Sequence, residues 1–317
     1  MSTEGSPSNL ENNLGQLIEL AERITTADGS TRTIIPYLII DRHSHERPPI
    51  PCLLMPSFCL FLQGTKKLHF GKNIFYAHPG DFLASIIDLP GTSQVVQATK
   101  ESPFIGLRID FTTQEIASVM LSAGIKVKPK DKKLSTGAFI GKYNADFLEL
   151  LIRLLKLTSK PAEAPFVSAL IKQEMIFRLL SGDYGHLFFQ QVLFDQQADG
   201  IGKAIAWIKE NFKRSFTAHE LASYTNMSVS GLQHKFKIIT SMGPLQYQKQ
   251  LRLQEARRLM LSGTMDATTA ALEVGYESLS QFNREYRRQF GLPPLQDIKT
   301  VQKSASESLQ PDSRSWS

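Results

Sequence analysis

Ala218-His219-Glu220-Leu221-Ala222, Asn226-Met227-Ser228 and Leu232-Gln233-His234-Lys235-Phe236-Lys237 set out a pattern that returns about fifty positions later. The second copy is Ala267 through Val274, then Gly275-Tyr276-Glu277-Ser278, then Phe282-Asn283-Arg284-Glu285-Tyr286-Arg287-Arg288. From the serines onward the copies align without gaps: Ser228 with Ser278, Leu232 with Phe282, Phe236 with Tyr286. Downstream, Pro244-Leu245-Gln246 recurs as Pro294-Leu295-Gln296, and only the turns before the serines differ in length, by one residue.

Each copy carries the parts of a helix-turn-helix. A small residue, Ala222 or Ala271, lets a second helix cross close by. Asn226 or Gly275 tolerates the positive φ of a tight turn. Ser228 or Ser278 can cap the next helix by accepting from its unpaired N–H groups. That helix then buries Leu232 and Phe236, or Phe282 and Tyr286, at i, i+4 spacing. Its opposite face carries hydrogen-bonding side chains suited to base edges in a major groove. The connector, Leu245 to about Ser262, has no Gly or Pro and reads as one helix. At about 1.5 Å per residue it spans roughly 27 Å, which sets two recognition helices near one duplex turn apart.

Charge follows the repeat. Residues 200–303 hold 15 Lys and Arg against 8 Asp and Glu, a net +7, whereas the whole chain is +6 and the remainder therefore −1. Net positive charge thus sits on the segment with the repeated motif, as phosphate binding requires.

These stretches carry a family resemblance. Residues 200–300 resemble the DNA-binding domain of AraC-type bacterial transcription regulators, most specifically over Ala271–Ser278, Phe282–Arg288 and Phe290-Gly291-Leu292-Pro293-Pro294. The N-terminal part resembles one group of that family's regulatory domains through Pro56–Lys66, Pro79-Gly80-Asp81-Phe82 and Asp88-Leu89-Pro90. The resemblance implies base-reading roles for Ser230, Gln233 and His234 in the first recognition helix. In the second it implies them for Leu279, Ser280, Asn283 and Arg284. Gln and Asn pair with adenine, Arg with guanine, and Leu279 offers only apolar contact. Lys235 and Arg287, with Lys237 and Arg288, read as phosphate contacts. Gly231 departs from a good helix former, at about 1 kcal/mol relative to Ala.

Upstream, Leu10 to about Thr26 has the period of an amphipathic helix. Seven short apolar runs follow between turns: Ile34–Ile40, Phe58–Gln63, Lys67–Phe70, Ile74–Tyr76, Phe82–Ile87, Gln94–Thr99 and Ile105–Phe111. Gly71-Lys72-Asn73, Pro79-Gly80-Asp81 and Pro90-Gly91 read as their turns. The pattern predicts a small antiparallel barrel, and the resemblance implies a cupin-like one. Helices follow at about Thr113–Ala123, Ala145–Thr158 and Pro165–Ser181, with a charged turn at Lys126–Lys133. Their wide apolar faces suit core packing or a homodimer interface.

The expected architecture is therefore α+β and multidomain. Residues 1–9 form a disordered N-terminus and 10–194 a regulatory, effector-binding domain of cupin-like antiparallel β-barrel plus helices. Residues 195–200 are a linker, 201–302 an all-α tandem helix-turn-helix domain, and 303–317 a disordered tail. Two cysteines, Cys52 and Cys59, fit a reducing cytoplasm rather than a disulfide framework. No apolar run reaches the roughly 18 residues that a membrane span needs.

Within the barrel, Cys59 is a candidate thiol for sensing an electrophile such as an aldehyde, against the alternative of a small buried hydrophobe. Arg108 is a candidate for an anionic effector, against that of a salt-bridged surface residue. His43-Ser44-His45-Glu46 looks like a metal motif but lacks a suitable pair of strands, so neither a metal nor another cofactor is expected. The function expected is a ligand-responsive, sequence-specific transcription regulator, an activator rather than a repressor, and not an enzyme. Its partners are promoter DNA, RNA polymerase and a small-molecule effector, with no membrane. The alternatives are a non-specific DNA-architectural protein and a cupin-type metal enzyme fused to a DNA-binding domain.

Overall fold

The computed structural model describes residues 7–85, 87–125, 137–189 and 200–307. The charged turn expected at 126–133 and residues 195–199 of the expected linker lie outside them. Helix α1, Pro7–Ile24, begins inside the stretch expected to be disordered. It lays Leu17 and Ala21, both fully buried, on the sheet behind it.

Ten antiparallel strands follow among the described residues: β1 Gly29–Arg32, β2 Leu38–His43, β3 Ile50–Leu54, β4 Ser57–Gln63, β5 Thr65–Phe70, β6 Asn73–Ala77, β7 Asp81–Ser85, β8 Leu89–Gln97, β9 Phe104–Asp110 and β10 Ala138–Lys142. They form a six-stranded sheet, β1-β2-β9-β4-β7-β10, and a four-stranded sheet, β3-β8-β5-β6. This is the expected β-barrel class, with three strands beyond the seven read from the sequence.

Several boundaries shift for physical reasons. Ile34–Tyr37 is a turn rather than strand, and pairing starts at Leu38. Pro90-Gly91 is not a turn but lies inside β8, opposite Leu53 and Cys52. Gly91 is required there by close packing, since a Cβ would come within 2.4 Å of the Phe70 ring and the His69 carbonyl oxygen.

The six-stranded sheet has two buried faces, because side chains alternate along each strand. Its outer face, with Ile40, Phe58, Leu60, Leu107 and Ile109, packs on α1 and on three further helices. These are α2 (Thr113–Ser122), α3 (Ala145–Lys156) and α4 (Ala164–Ser181). Helix α2 starts with a full capping box between Thr112 and Glu115, and α3 is capped by Asn144.

The C-terminal segment is all α. In order it holds α5 Ile201–Asn211, α6 Ala218–Tyr224, α7 Val229–Thr240, α8 Pro244–Leu261, α9 Ala267–Glu273, α10 Leu279–Phe290 and α11 Pro294–Glu307. Helix α11 runs past the point at which a disordered tail was expected. Helix α8 is the continuous connector, with Pro244 in its first turn, where a missing N–H costs nothing.

One apolar cluster joins the barrel to the first helix-turn-helix unit: Leu68, Phe70 and Leu89 continue into Ile205, Leu232 and Tyr247. Polar contacts line the junction. Tyr247 Oη donates to the Asp88 carbonyl (2.8 Å), Gln254 Nε2 to the Cys52 carbonyl (2.7 Å), and the Gly137 N–H to the Ile239 carbonyl (2.8 Å). Lys209 pairs with the Asp88 carboxylate. The second unit has its own core, built on Phe282, Tyr286, Val274 and Ala256.

Candidate nucleic-acid interface

Each unit is assembled as its residues predict. Thr217 caps α6 and Asp266 caps α9. Ala222 and Ala271 are buried where those helices meet their recognition helices. The turns pass through positive φ at Asn226 (55°) and Gly275 (91°). Ser228 Oγ accepts from the Gly231 N–H at 3.1 Å, and Ser278 Oγ from the Gln281 N–H at 3.3 Å. A Cβ at Gly231 would sit 2.9 Å from the Ser228 hydroxyl, a contact that a small hydroxyl movement relieves, since Gln281 stands at the equivalent position under the Ser278 cap. Leu232 and Phe236 anchor α7, and Phe282 and Tyr286 anchor α10; all four are fully buried.

With those anchors inward, the opposite faces point to solvent. Ser230, Gln233 and His234 are exposed on α7, and Lys235 is half-buried beside them. On α10, Leu279, Ser280, Asn283, Arg284 and Arg287 are exposed. Leu279, Asn283, Arg284 and Arg287 line one open concavity of about 880 Å³ with Arg288 and the Pro293-Pro294 turn. The arrangement presents hydrogen-bonding groups and cations on one ridge per unit, the chemistry of base edges flanked by phosphates.

The sequence reading missed the polar networks that hold these helices. Arg257 of α8 grips Asp297 of α11 through Nε–Oδ2 (2.6 Å) and Nη2–Oδ1 (3.0 Å). Tyr286 Oη of α10 donates to the same Oδ2 at 2.7 Å. Glu285, also on α10, accepts from Tyr276 Oη (2.9 Å) and pairs with Lys249 of α8 (2.8 Å). Burial pushes the Tyr276 and Tyr286 phenols up, and each carboxylate partner adds to the shift. The recurrence of Pro-Leu-Gln ahead of Asp297 was the one sequence signal near this network.

Inside the barrel, the register places Cys59 directly beside Arg108, so the two candidate effector residues share one inward face. Arg108 Nε lies 3.0 Å from Asp110 Oδ1, yet neither atom has an aligned hydrogen-bond partner. Asp41 and His43 lie on the same face; Lys66 reaches across from β5 to Asp41 (3.6 Å) and over the Phe104 ring. Burial pushes the Cys59 thiol up to about 11 and the Cys52 thiol up to about 12. Both therefore stay protonated at neutral pH, which opposes the reactivity expected of a sensing thiol. Among the described residues, no group of three or more His, Cys, Asp or Glu is placed to hold a metal ion.

His43 ends β2 with Nδ1 buried and unpartnered. Burial, reinforced by the Lys66 and Arg47 charges, pushes its imidazole down to about 4. The unfolded chain binds this proton near pH 6.5, so the contribution to stability is full above that value and lost as pH falls toward 4. Thermal melts are expected to show His43→Asn losing less stability than the unmodified chain between those pH values. Parallel curves would remove His43 as a titrating group.

Comparison with known proteins agrees with this architecture. Residues 34–187 match the family model for the AraC-type transcriptional regulator N-terminus, and residues 221–299 match one for a helix-turn-helix domain. The chain belongs to the AraC-type transcription regulators. The transcriptional activator RhaS of Pectobacterium carotovorum is 24% identical over 151 residues, covering 48% of this chain and 54% of that protein. The regulator ArgR of Pseudomonas aeruginosa is 24% identical over 150 residues, covering 47% and 46%. The chain thus spans about half the length of the curated relatives it matches. Crystalline ToxT from Vibrio cholerae superimposes with a TM-score of 0.52 at 11% identity, over 83% of this chain and 97% of that one; the likeness is one of fold. The matched family and relatives are regulators, not enzymes. No helix among the described residues is long and apolar enough to cross a membrane.

Proposed function

We propose that the chain binds promoter DNA in a sequence-specific manner and regulates transcription in response to a small molecule held in the barrel. The observation that carries this reading is the pair of capped recognition helices with exposed polar faces on a basic segment. Ser230, Gln233, His234, Leu279, Ser280, Asn283 and Arg284 read bases; Lys235 and Arg287 hold phosphates. The fragment boundaries 10–194 and 201–302 describe the regulatory and DNA-binding parts.

Arg284→Ala is expected to weaken binding to the preferred site by about 1–3 kcal/mol and relax base preference there. Lys235→Ala is expected to weaken all sequences alike. Quantitative binding to the preferred duplex and to random DNA separates the two. Equal losses on both for Arg284→Ala would favour a non-specific architectural protein instead.

The effector is a small molecule carrying an anionic group, received by Arg108 on the inward sheet face that it shares with His43 and Cys59. The unpartnered His43 Nδ1 supports this, and the effector would compete with Asp110, whose carboxylate pairs with Arg108 through Nε at 3.0 Å and Nη2 at 3.4 Å. A cytoplasmic activator that recruits RNA polymerase is the mode of action proposed. Homodimerisation would use α4, which exposes Phe166, Leu170 and Phe177 along one stripe. Phe166→Glu with Leu170→Glu is then expected to shift the protein to monomer in sedimentation. An unchanged oligomeric state would move the interface elsewhere.

A further inference from the structure

We propose that Arg252 fixes the pose of one recognition helix relative to the other, and thereby the spacing between DNA boxes that the protein accepts. The inference rests on the DNA-binding reading above. Arg252 projects from the middle of α8. Its Nε donates to the Phe212 carbonyl at 2.6 Å and its Nη2 to the Lys213 carbonyl at 2.9 Å. Phe212 is the C-cap of α5 and Lys213 follows it, in the first unit, where a helix end leaves carbonyls without internal partners. Its Nη1 donates to the Gly275 carbonyl at 2.8 Å, in the turn between α9 and α10 of the second unit. One planar cation with its donors in a fixed fork therefore ties both units to the helix between them.

Independent contacts lie at the same junction. Lys213 pairs with Glu273 at the end of α9. The Gly275 backbone approaches Lys213 so closely that a Cβ would lie 1.8 Å from its carbonyl oxygen. The Arg252 guanidinium also lies 5.8 Å from the Tyr276 ring centre, in the turn leading to α10. Gln248, one turn earlier, holds the Phe212 and Arg214 carbonyls at 2.9 and 2.6 Å. Loss of Arg252 therefore leaves each unit attached to α8, the first through Gln248 and the second through Lys249–Glu285 and Arg257–Asp297, and removes the fork that ties the turn before α10 to the end of α5.

The consequence is one of phase. Two recognition helices on one duplex must meet grooves that repeat every 10–10.5 base pairs. Each inserted base pair rotates the second box by about a tenth of a turn. A rigid junction refuses that rotation, whereas a loose one follows it. Arg252 is thus a positioning residue for specificity rather than a DNA contact.

Two measurements on the full chain test this. The first places spin labels at Lys237→Cys and Arg287→Cys, both exposed, on α7 and α10. A narrow distance distribution is expected with Arg252 and one at least twice as wide with Arg252→Gln. The second uses a duplex selected from a random pool by the unmodified chain, with one base pair inserted between the boxes. Insertion is expected to cost Arg252 protein tenfold or more and Arg252→Gln less than threefold. If Arg252→Gln fails to fold, Arg252→Lys keeps the charge but cannot span all three carbonyls, and the same widening and tolerance are expected. Unchanged width and an unchanged insertion penalty would overturn the proposal. So would a uniform loss of affinity with a shallower salt dependence, the mark of a phosphate contact. If the unmodified chain selects no duplex, the DNA-binding reading fails, while the label distances still decide the role of Arg252.

Discussion

Raising the salt from 50 to 200 mM is expected to weaken binding of this chain to its preferred duplex about a thousandfold, for roughly six phosphate contacts. Segment 200–303 carries a net +7, and Arg284, Arg287 and Arg288 line one concavity on the second unit. Lys235 and Lys237 supply cations on the first. Each phosphate neutralised releases about one counterion, so six contacts give a log–log slope near −5. A slope shallower than about −2 would remove phosphate as the reason for the basic segment. Titration by fluorescence anisotropy at four or five salt concentrations is sufficient.

Arg257→Ala is expected to destabilise the second unit by about 3–5 kcal/mol and to abolish its contribution to DNA binding. Arg257 and Asp297 are each less than a tenth exposed, so removing the guanidinium leaves a carboxylate buried without its cation. Asp297 also accepts from Tyr286, fully buried on the recognition helix, so the damage passes directly to α10. The double variant Arg257→Met with Asp297→Leu removes both charges and is expected to recover most of the loss. Comparable loss in the single and double variants would show that volume, rather than the unpaired charge, dominates. Denaturant unfolding followed by tryptophan-independent far-UV signal measures both.

The tandem units were legible because their rules are local. A capping serine, a positive-φ residue before it and two apolar residues at i, i+4 all lie within a dozen positions. The strands were less legible where local signals mislead. Pro51 argues against a strand, yet β3 is an edge strand of its sheet, where a missing N–H is tolerated. Pro90-Gly91 has turn composition, yet packing against Phe70 fixes it within β8. β10 is short, contains Gly141 and also lies at an edge. The exposed faces of α7 and α10 followed from their buried ones. The junction at Arg252, the Asp297 network and the apolar cluster shared by barrel and first unit did not. Each joins elements far apart in sequence, and no short pattern encodes such a meeting.

The proposed function turns on two recognition helices, held in fixed pose, that read sequence. Its most direct test is competition binding of the full chain at physiological salt, with a duplex selected from a random pool set against unselected DNA of equal length. Preference for the selected duplex by a factor of about a thousand or more is expected. A ratio near one, with both duplexes bound equally well, would contradict the account.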